Sequence, residues 1–401
     1  TFIKHLLIMK ILLTGATGYI GKRMLPELAK MGHLVVCCVR DIQRFNPPKE
    51  FSNNIEIIEV DFLKKETLNR IPKDINGAYY LMHSMSNEKN YENLELKSAQ
   101  NFRAFIDKTN VEQVIYLSGI INEDKLSKHL NSRKAVEVEL SKGNYQFTCL
   151  RAGIIIGSGS ASFEIIRDLV EKLPVMITPK WLETKCQPIA VRDVILFLTE
   201  SLFNTLTYNR NFDIGCPDIL SYKQMLLGYA KARGLKRIIF IVPIMTPRLS
   251  SYWLYFVTST SYKLAIALVN SMKIEVVCRN QELNEILDIE PINYKKSLEN
   301  TLNTIKKDKI ISSWKDSLIS GRLNINLADF SDVPTHGCFK DNRSKKILNT
   351  EISLNKIWSI GGSKGWYYAN WLWKIRGFID KLSGGVGLRR GRTHPTIVNA
   401  G

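Results

Sequence analysis

The sequence predicts an α/β fold built on a doubly wound parallel sheet, and three observations carry that expectation. Short apolar runs recur along the first 150 residues, each followed by a stretch of helical length. The runs are Lys10 to Thr14, Val35 to Val39, Ile55 to Val60, Gly77 to Met82, Gln113 to Leu117 and Phe147 to Leu150. Strands alternating with helices across short turns imply a parallel sheet covered on both faces. The first run also ends at Gly15-Ala16-Thr17-Gly18-Tyr19-Ile20-Gly21 before a helical pattern begins, giving strand, glycine turn and helix in succession.

Each glycine of that turn has a physical reason. Gly15 permits the tight turn, Gly18 lets backbone amides approach a pyrophosphate, and Gly21 lets the helix pack closely on the strand. The helix N-terminus then offers unpaired N–H groups and a partial positive charge to phosphates. A plain strand-to-helix turn is the competing reading. Arg40 follows the second run, where a dinucleotide site chooses its ribose partner. An acidic residue there takes a free 2′-hydroxyl, whereas a guanidinium fits a 2′-phosphate and favours NADP. Asp41 comes next, which keeps NAD open.

The G-x-x-G-x-x-G spacing resembles the extended and atypical short-chain dehydrogenase/reductases, NAD(P)-binding Rossmann proteins of the NmrA-like and epimerase-like kind. The resemblance implies that Asp61 and the Phe62 amide hold the adenine, and that Leu81, Met82 and His83 wall the cofactor crevice. His83 reads equally well as a surface histidine. Ser118 matches the family's substrate-orienting serine or threonine. Leu150 to Gly157 is similar to the segment beside the nicotinamide, Gln187 to Val194 to a returning strand and helix start, and Phe212 to Gly215 to the last sheet element. The likeness thus spans about residues 10 to 220.

One departure stands out. Reductases of this family carry a Tyr and, four residues later, a Lys on one helical face; here the corresponding residues are His129 and Arg133. Histidine serves as a general acid near neutral pH. Arg133 is able to hold a ribose or phosphate, but arginine does not exchange protons usefully. Catalysis by Ser118, His129 and Arg133 is therefore a weaker expectation than cofactor binding.

The chain has 401 residues, 45% hydrophobic and 23% charged, which is ordinary for a globular protein of two or three domains. Residues 1 to 9 read as an N-terminal extension ahead of a natural start at Met9, too short for a signal peptide or membrane span. Seven cysteines form no C-x-x-C pair and no zinc-like cluster, so neither a metal site nor a disulfide framework is expected and a cytoplasmic setting fits best. The net charge is +18, and residues 301 to 401 hold 17 Lys/Arg against 7 Asp/Glu. No standard nucleic-acid motif accompanies that charge, which reads chiefly as solvated faces.

Beyond the first 220 residues, Tyr222 to Lys236 reads as a helix and Ile238 to Val242 as a short apolar segment closed by Pro243 and Pro247. Leu249 to Met272 is interrupted by polar residues too often to span a membrane and reads as a helix closing the substrate cleft, with a membrane-surface helix the weaker alternative. Asn293 to Ile305 reads as an amphipathic helix, and a boundary near 310 separates this helical, substrate-side region (221–310) from a last domain (311–401). The run from Ile357 through Trp366, Trp371, Trp373, Lys374 and Arg376 to Leu388-Arg389-Arg390-Gly391-Arg392 resembles the domain known as DUF2867. By weaker analogy this is an α+β, START-like helix-grip fold, and the family pattern implies that Gly401 truncates it. Its tryptophans and cations read as an aromatic core with a basic rim, or as a site for an amphipathic anion.

These readings together predict an NADP-dependent oxidoreductase of a small carbonyl or quinone-like substrate. A non-catalytic NADP-binding redox sensor and a lipid or membrane-surface binding protein are the alternatives. Oligomeric state is left open.

Overall fold

In the computed structural model, seven parallel strands form the central sheet. The strands in chain order are β1 (Lys10–Leu13), β2 (Leu34–Val39), β3 (Ile55–Glu59), β4 (Gly77–Tyr80), β5 (Gln113–Gly119) and β6 (Gln146–Ala152). After β7 (Ile155–Ile156), β8 (Val175–Pro179), β9 (Lys185–Cys186) and β10 (Ile189–Ala190) comes β11 (Arg210–Ile214), the seventh strand of that sheet. The order is β3-β2-β1-β4-β5-β6-β11, with Leu12 in register with Val36 on one side and Ala78 on the other. The chain winds outward from β1 to β3 and then reverses from β4 onward. The crevice at the carboxyl ends of β1 and β4 is therefore the switch point where such sheets bind ligands. The structure describes residues 8–45, 47–82, 91–122, 128–242, 272–306, 346–359, 365 and 368–382.

Strand periodicity divides the core in two. Ile11, Leu13, Val35, Cys37 and Val39 point to one face, where they meet Met24, Leu25 and Leu28 of α1 (Gly21–Lys30) and Val194, Phe197 and Leu198 of α5 (Val191–Glu200). Leu12, Val36, Cys38, Ala78, Tyr80, Val114 and Tyr116 point to the other, against Phe102 of α2 (Tyr91–Ile106) and Val136 and Leu140 of α3 (Lys128–Leu140). Cys37 and Cys38 lie on opposite faces, as adjacent strand residues must.

A third core sits at the carboxyl side of the sheet. Phe163, Leu169 and Val170 of α4 (Ala161–Lys172) pack there on Tyr222, Met225 and Tyr229 of α6 (Tyr222–Ala232), with Tyr294 and Leu298 of the helix Tyr294–Lys306. Three small pairs frame it: β7 with β10, β9 with β12 (Leu220–Ser221), and β8 with β13 (Ile238–Val242). Leu283 and Ile289 return to the first core, so the segment from 272 to 306 bridges both.

Two expectations need correction. The helix beginning at Tyr222 stops at Ala232 and does not reach Lys236. Gly234 adopts φ +66, its N–H donates to Lys231 O and Leu235 N–H donates to Ala230 O, which together close the helix with a Schellman motif. The fourth strand ends at Tyr80, since Thr14 Oγ1 takes the Leu81 N–H out of the ladder at 3.1 Å.

His83 and the stretch from Leu249 to Ser271 lie outside the described residues, and Met272 packs against the third core. Of the C-terminal signature the described part comprises the helices Thr350–Trp358 and Asn370–Leu382, with the Arg376 guanidinium 4.9 Å from the Trp373 ring centre and Trp371 exposed. Trp366 and Arg389 to Arg392 lie outside it. Among the described residues no helix is long and apolar enough to cross a membrane.

Two predictions follow from how the layers are tied. Gln113 is fully buried, its amide donating to Thr148 Oγ1 (2.8 Å) and Ser201 O (3.0 Å) while its Oε1 accepts the Phe203 N–H (2.5 Å). Gln113→Leu leaves the Phe203 N–H without its acceptor, while Thr148 Oγ1 and Ser201 O keep their bonds to Thr207, and urea unfolding is expected to show a loss of roughly 1–3 kcal/mol. His33, 3% exposed, accepts the Met9 N–H on Nδ1, and burial lowers its pKa below the ordinary 6.5. The unfolded chain therefore takes up this proton more readily than the folded one. Stability should decline as pH falls below about 6.5, and His33→Asn should flatten that limb of a pH series of melts.

Candidate functional site

The glycine turn is built from backbone contacts that exclude side chains. Gly15 has φ +68, and a Cβ there would lie 2.6 Å from Leu81 O. A Cβ on Gly21 would lie 2.2 Å from Gly15 O, and one on Gly18 3.1 Å from the same oxygen. Gly18 N–H donates to Gly15 O at 2.9 Å, curling Ala16 and Thr17 into a closed loop. Thr14 Oγ1 donates to Tyr79 O at 2.9 Å and accepts from Leu81, so the ends of β1 and β4 are fixed together. The turn and Leu81-Met82 thus meet at the switch point.

The electrostatics of α1 favour an anion. No side chain caps Ile20, and its first turn contains no acidic residue but does contain Lys22 and Arg23. The positive end of the helix is thereby left to a ligand. Next to it, Asp41 Oδ1 accepts the Gln43 N–H at 3.0 Å and caps the short turn Ile42–Arg44. Arg40 is exposed, with no hydrogen bond or ion pair to its side chain among the described residues. At the end of β3, Asp61 Oδ1 accepts the Leu63 N–H at 3.1 Å. Phe62 is buried against Phe102 at 5.8 Å, and its carbonyl accepts from Asn101.

Ser118, Leu117 and Arg133 come together at the end of β5. Ser118 is 4% exposed and its Oγ has no partner among the described residues. Arg133 Nη1 donates to Leu117 O at 3.0 Å, while its buried Nε has none. The helix that carries it, α3, is pinned to β6 by the Glu137–Arg151 ion pair and to α2 by the Ser132 hydroxyl on Glu95. His129 lies one turn ahead of Arg133 in α3, and its side chain is outside the described residues.

Sequence reasoning passed over two residues. Asn122 donates to Val277 O at 2.6 Å and keeps a buried Oδ1 without a partner, so it joins the end of β5 to a segment 155 positions later. That segment is held further by Gln187, which bonds Cys216 O and the Cys278 N–H, and by Asp213, which accepts the Arg279 N–H at 3.1 Å. Nothing local marks Asn122. Arg23 is the second: its guanidinium lies 4.1 Å from the Tyr19 ring centre and donates to Ser158 O at 2.8 Å. A signal existed there, since a cation in the first turn opposes the helix dipole.

This geometry agrees with the comparisons. A sequence family described as NAD(P)H-binding matches residues 15–168, and the family described as protein of unknown function (DUF2867) matches residues 336–400. The first of these is an NAD(P)-binding domain. Among solved structures, its fold is similar to WbmG of Bordetella bronchiseptica in complex with NAD and UDP (TM-score 0.60, 11% identity, 78% of this chain and 98% of that one). The triphenylmethane reductase of Citrobacter sp. complexed with NADP(H) is similar too (TM-score 0.59, 13% identity, 73% and 99%). A curated relative, the photosystem II assembly factor Ycf39 of Trieres chinensis, is 26% identical over 212 residues. That match takes in 52% of this chain and 64% of the relative, so the chain spans less than two thirds of its length.

The residues present fit an NAD(P) dinucleotide. The turn leaves backbone where a Cβ would intrude, α1 has no side-chain cap at its positive end, and Ser118 Oγ and Arg133 Nε are buried polar atoms lacking partners among the described residues where the sheet ends. Gly15 to Gly21 would lie against the pyrophosphate, with Arg40 and Asp61 toward the adenosine half.

Proposed function

We propose that the NAD(P)-binding domain works with NADP as an oxidoreductase on a small carbonyl or quinone-like substrate. The observation that carries the cofactor preference is the pairing of Arg40 and Asp41. The Asp41 carboxylate is engaged on Gln43, where it caps a turn, and the Arg40 guanidinium is exposed beside it. A 2′-phosphate meets a cation there, while one oxygen of the neighbouring Asp41 carboxylate is turned onto the Gln43 N–H.

For the chemistry, Ser118 Oγ donates to the substrate oxygen and holds the carbonyl at the end of β5. Arg133, fixed by Leu117 O, adds a charge-assisted donor through Nε and orients the substrate. His129 occupies the helical position from which the reduced oxygen takes its proton, directly or through water. The bound nicotinamide supplies the hydride. A second reading, an NADP-responsive protein without turnover, draws on the same Arg133: a guanidinium tethered to a carbonyl is a positioning group.

Fluorescence titration tests the cofactor assignment. Arg40→Ala should weaken NADPH binding about 10- to 100-fold, the loss of one charge-assisted contact, and leave NADH binding nearly unchanged. Equal losses for both dinucleotides would overturn the NADP preference. Turnover is read with a panel of carbonyls and quinones, where NADPH consumption is expected and should fall at least about 100-fold in His129→Ala, the usual contribution of a positioned acid. Binding without any consumption would favour the sensor reading.

A further inference from the structure

Arg23 is a cation in a position that a helix disfavours, and it is 9% exposed. Its surroundings show what keeps it there. Nη1 donates to Tyr19 O at 3.3 Å, and Nη2 donates to Ser158 O at 2.8 Å with Ser158 Oγ at 3.4 Å. The guanidinium also stacks on the Tyr19 ring. Tyr19 belongs to the glycine turn, between Gly18 and Ile20. Its phenol reaches across to Gly157, where a Cβ would lie 2.5 Å from the Tyr19 oxygen. Burial raises this phenol to about 12 against the lowering effect of Arg23, so it stays neutral.

The far end of this contact is equally rigid. Ser160 caps α4 by accepting the Phe163 N–H at 3.1 Å and donates to Ile155 O at 2.9 Å. Gly159 N–H donates to Glu164 at 3.2 Å. The loop from 155 to 160 therefore carries the first turn of α4 with it, and α4 packs into the third core. Tyr19 and Arg23 span the gap between the phosphate-binding turn and this loop.

We infer that Arg23 is a positioning residue that couples dinucleotide occupancy of the glycine turn to the segment 155–163 on the substrate side. The inference rests on the dinucleotide assignment above. A pyrophosphate at the N-terminus of α1 offsets the field that Lys22 and Arg23 add to the helix dipole. It thereby tightens the turn that carries Tyr19, and the stacked guanidinium transmits the constraint to Ser158. Coupling of this kind is a free energy between two sites and is measured as such.

Hydrogen–deuterium exchange on the full chain tests it, with ADP-ribose and 2′-phospho-ADP-ribose as probes because neither carries a nicotinamide that might touch residues 155–163 directly. Either probe is expected to protect residues 15–22 and to slow exchange in 155–163 about fivefold or more. In Arg23→Met, protection of 15–22 should persist while the probe-dependent change in 155–163 disappears, and Arg23→Lys should restore part of it. A merely structural arginine would instead raise exchange in 155–163 without probe and leave the probe-dependent difference intact, which would overturn the inference. So would a wild-type protein protected at 15–22 and unchanged at 155–163. Absence of protection at 15–22 with both probes would overturn the dinucleotide assignment itself. Should Arg23→Met fail to fold, Arg23→Gln, which keeps a polar head too short to reach Ser158 O, is read by the same two differences.

Discussion

Three backbones meet at Gly15 with no room for a side chain between them. The end of β1 turns there, Leu81 O of the β4 end lies where a Cβ would be, and α1 starts at Gly21 directly over the Gly15 carbonyl. Thr14 fastens the same junction by bonding both Tyr79 O and Leu81 N–H through one hydroxyl. The switch point of the sheet, the direction of α1 and the packing of Met24 and Leu28 on β1 and β2 all depend on this approach. A methyl group at Gly21 would push the helix outward along its whole length, because protein interiors leave no slack to absorb it.

The same approach creates the chemistry of the site. α1 begins without a capping side chain, so its dipole points into the crevice with no carboxylate or hydroxyl opposing it, while the Lys22 and Arg23 N–H groups donate to Gly18 O and Ile20 O. Lys22 and Arg23 then deepen a positive field that a bare helix would not tolerate cheaply. At the ends of β2 and β3, Asp41 and Asp61 both turn an oxygen onto a local backbone N–H, so neither is a freely solvated carboxylate. The fold and the crevice thus share one origin, the geometry of strand ends.

Much of this was legible in the sequence because it is local. The glycine spacing, the strand cores of β1 to β6 and the opposite faces of Cys37 and Cys38 are fixed within a few residues by sterics and by period-two alternation. The end of the helix at Ala232 was legible in principle, since Gly234 sits where a Schellman motif needs φ above zero. What could not be read is non-local. Asn122, Gln187 and Arg279 acquire their partners from segments 29 to 158 positions away, and no periodicity encodes those pairings. Arg23 lies between the two cases, conspicuous by its charge but intelligible only once Ser158 is placed beside it.

The departure at His129 and Arg133 is best understood through the burial around it. Ser118 Oγ, Arg133 Nε and Asn122 Oδ1 are each buried without a partner among the described residues, at a cost of about 1–3 kcal/mol apiece. A domain whose net stability is about 5–15 kcal/mol retains such groups where something else satisfies them. Around these atoms, α3 and the segment at 276–279 are held in place by Glu137–Arg151, Asp213 and Gln187. A ligand that reaches these atoms recovers the cost as affinity. Ser118 Oγ and Arg133 Nε thus stand preorganised where β5 ends, held there by the strand and by α3.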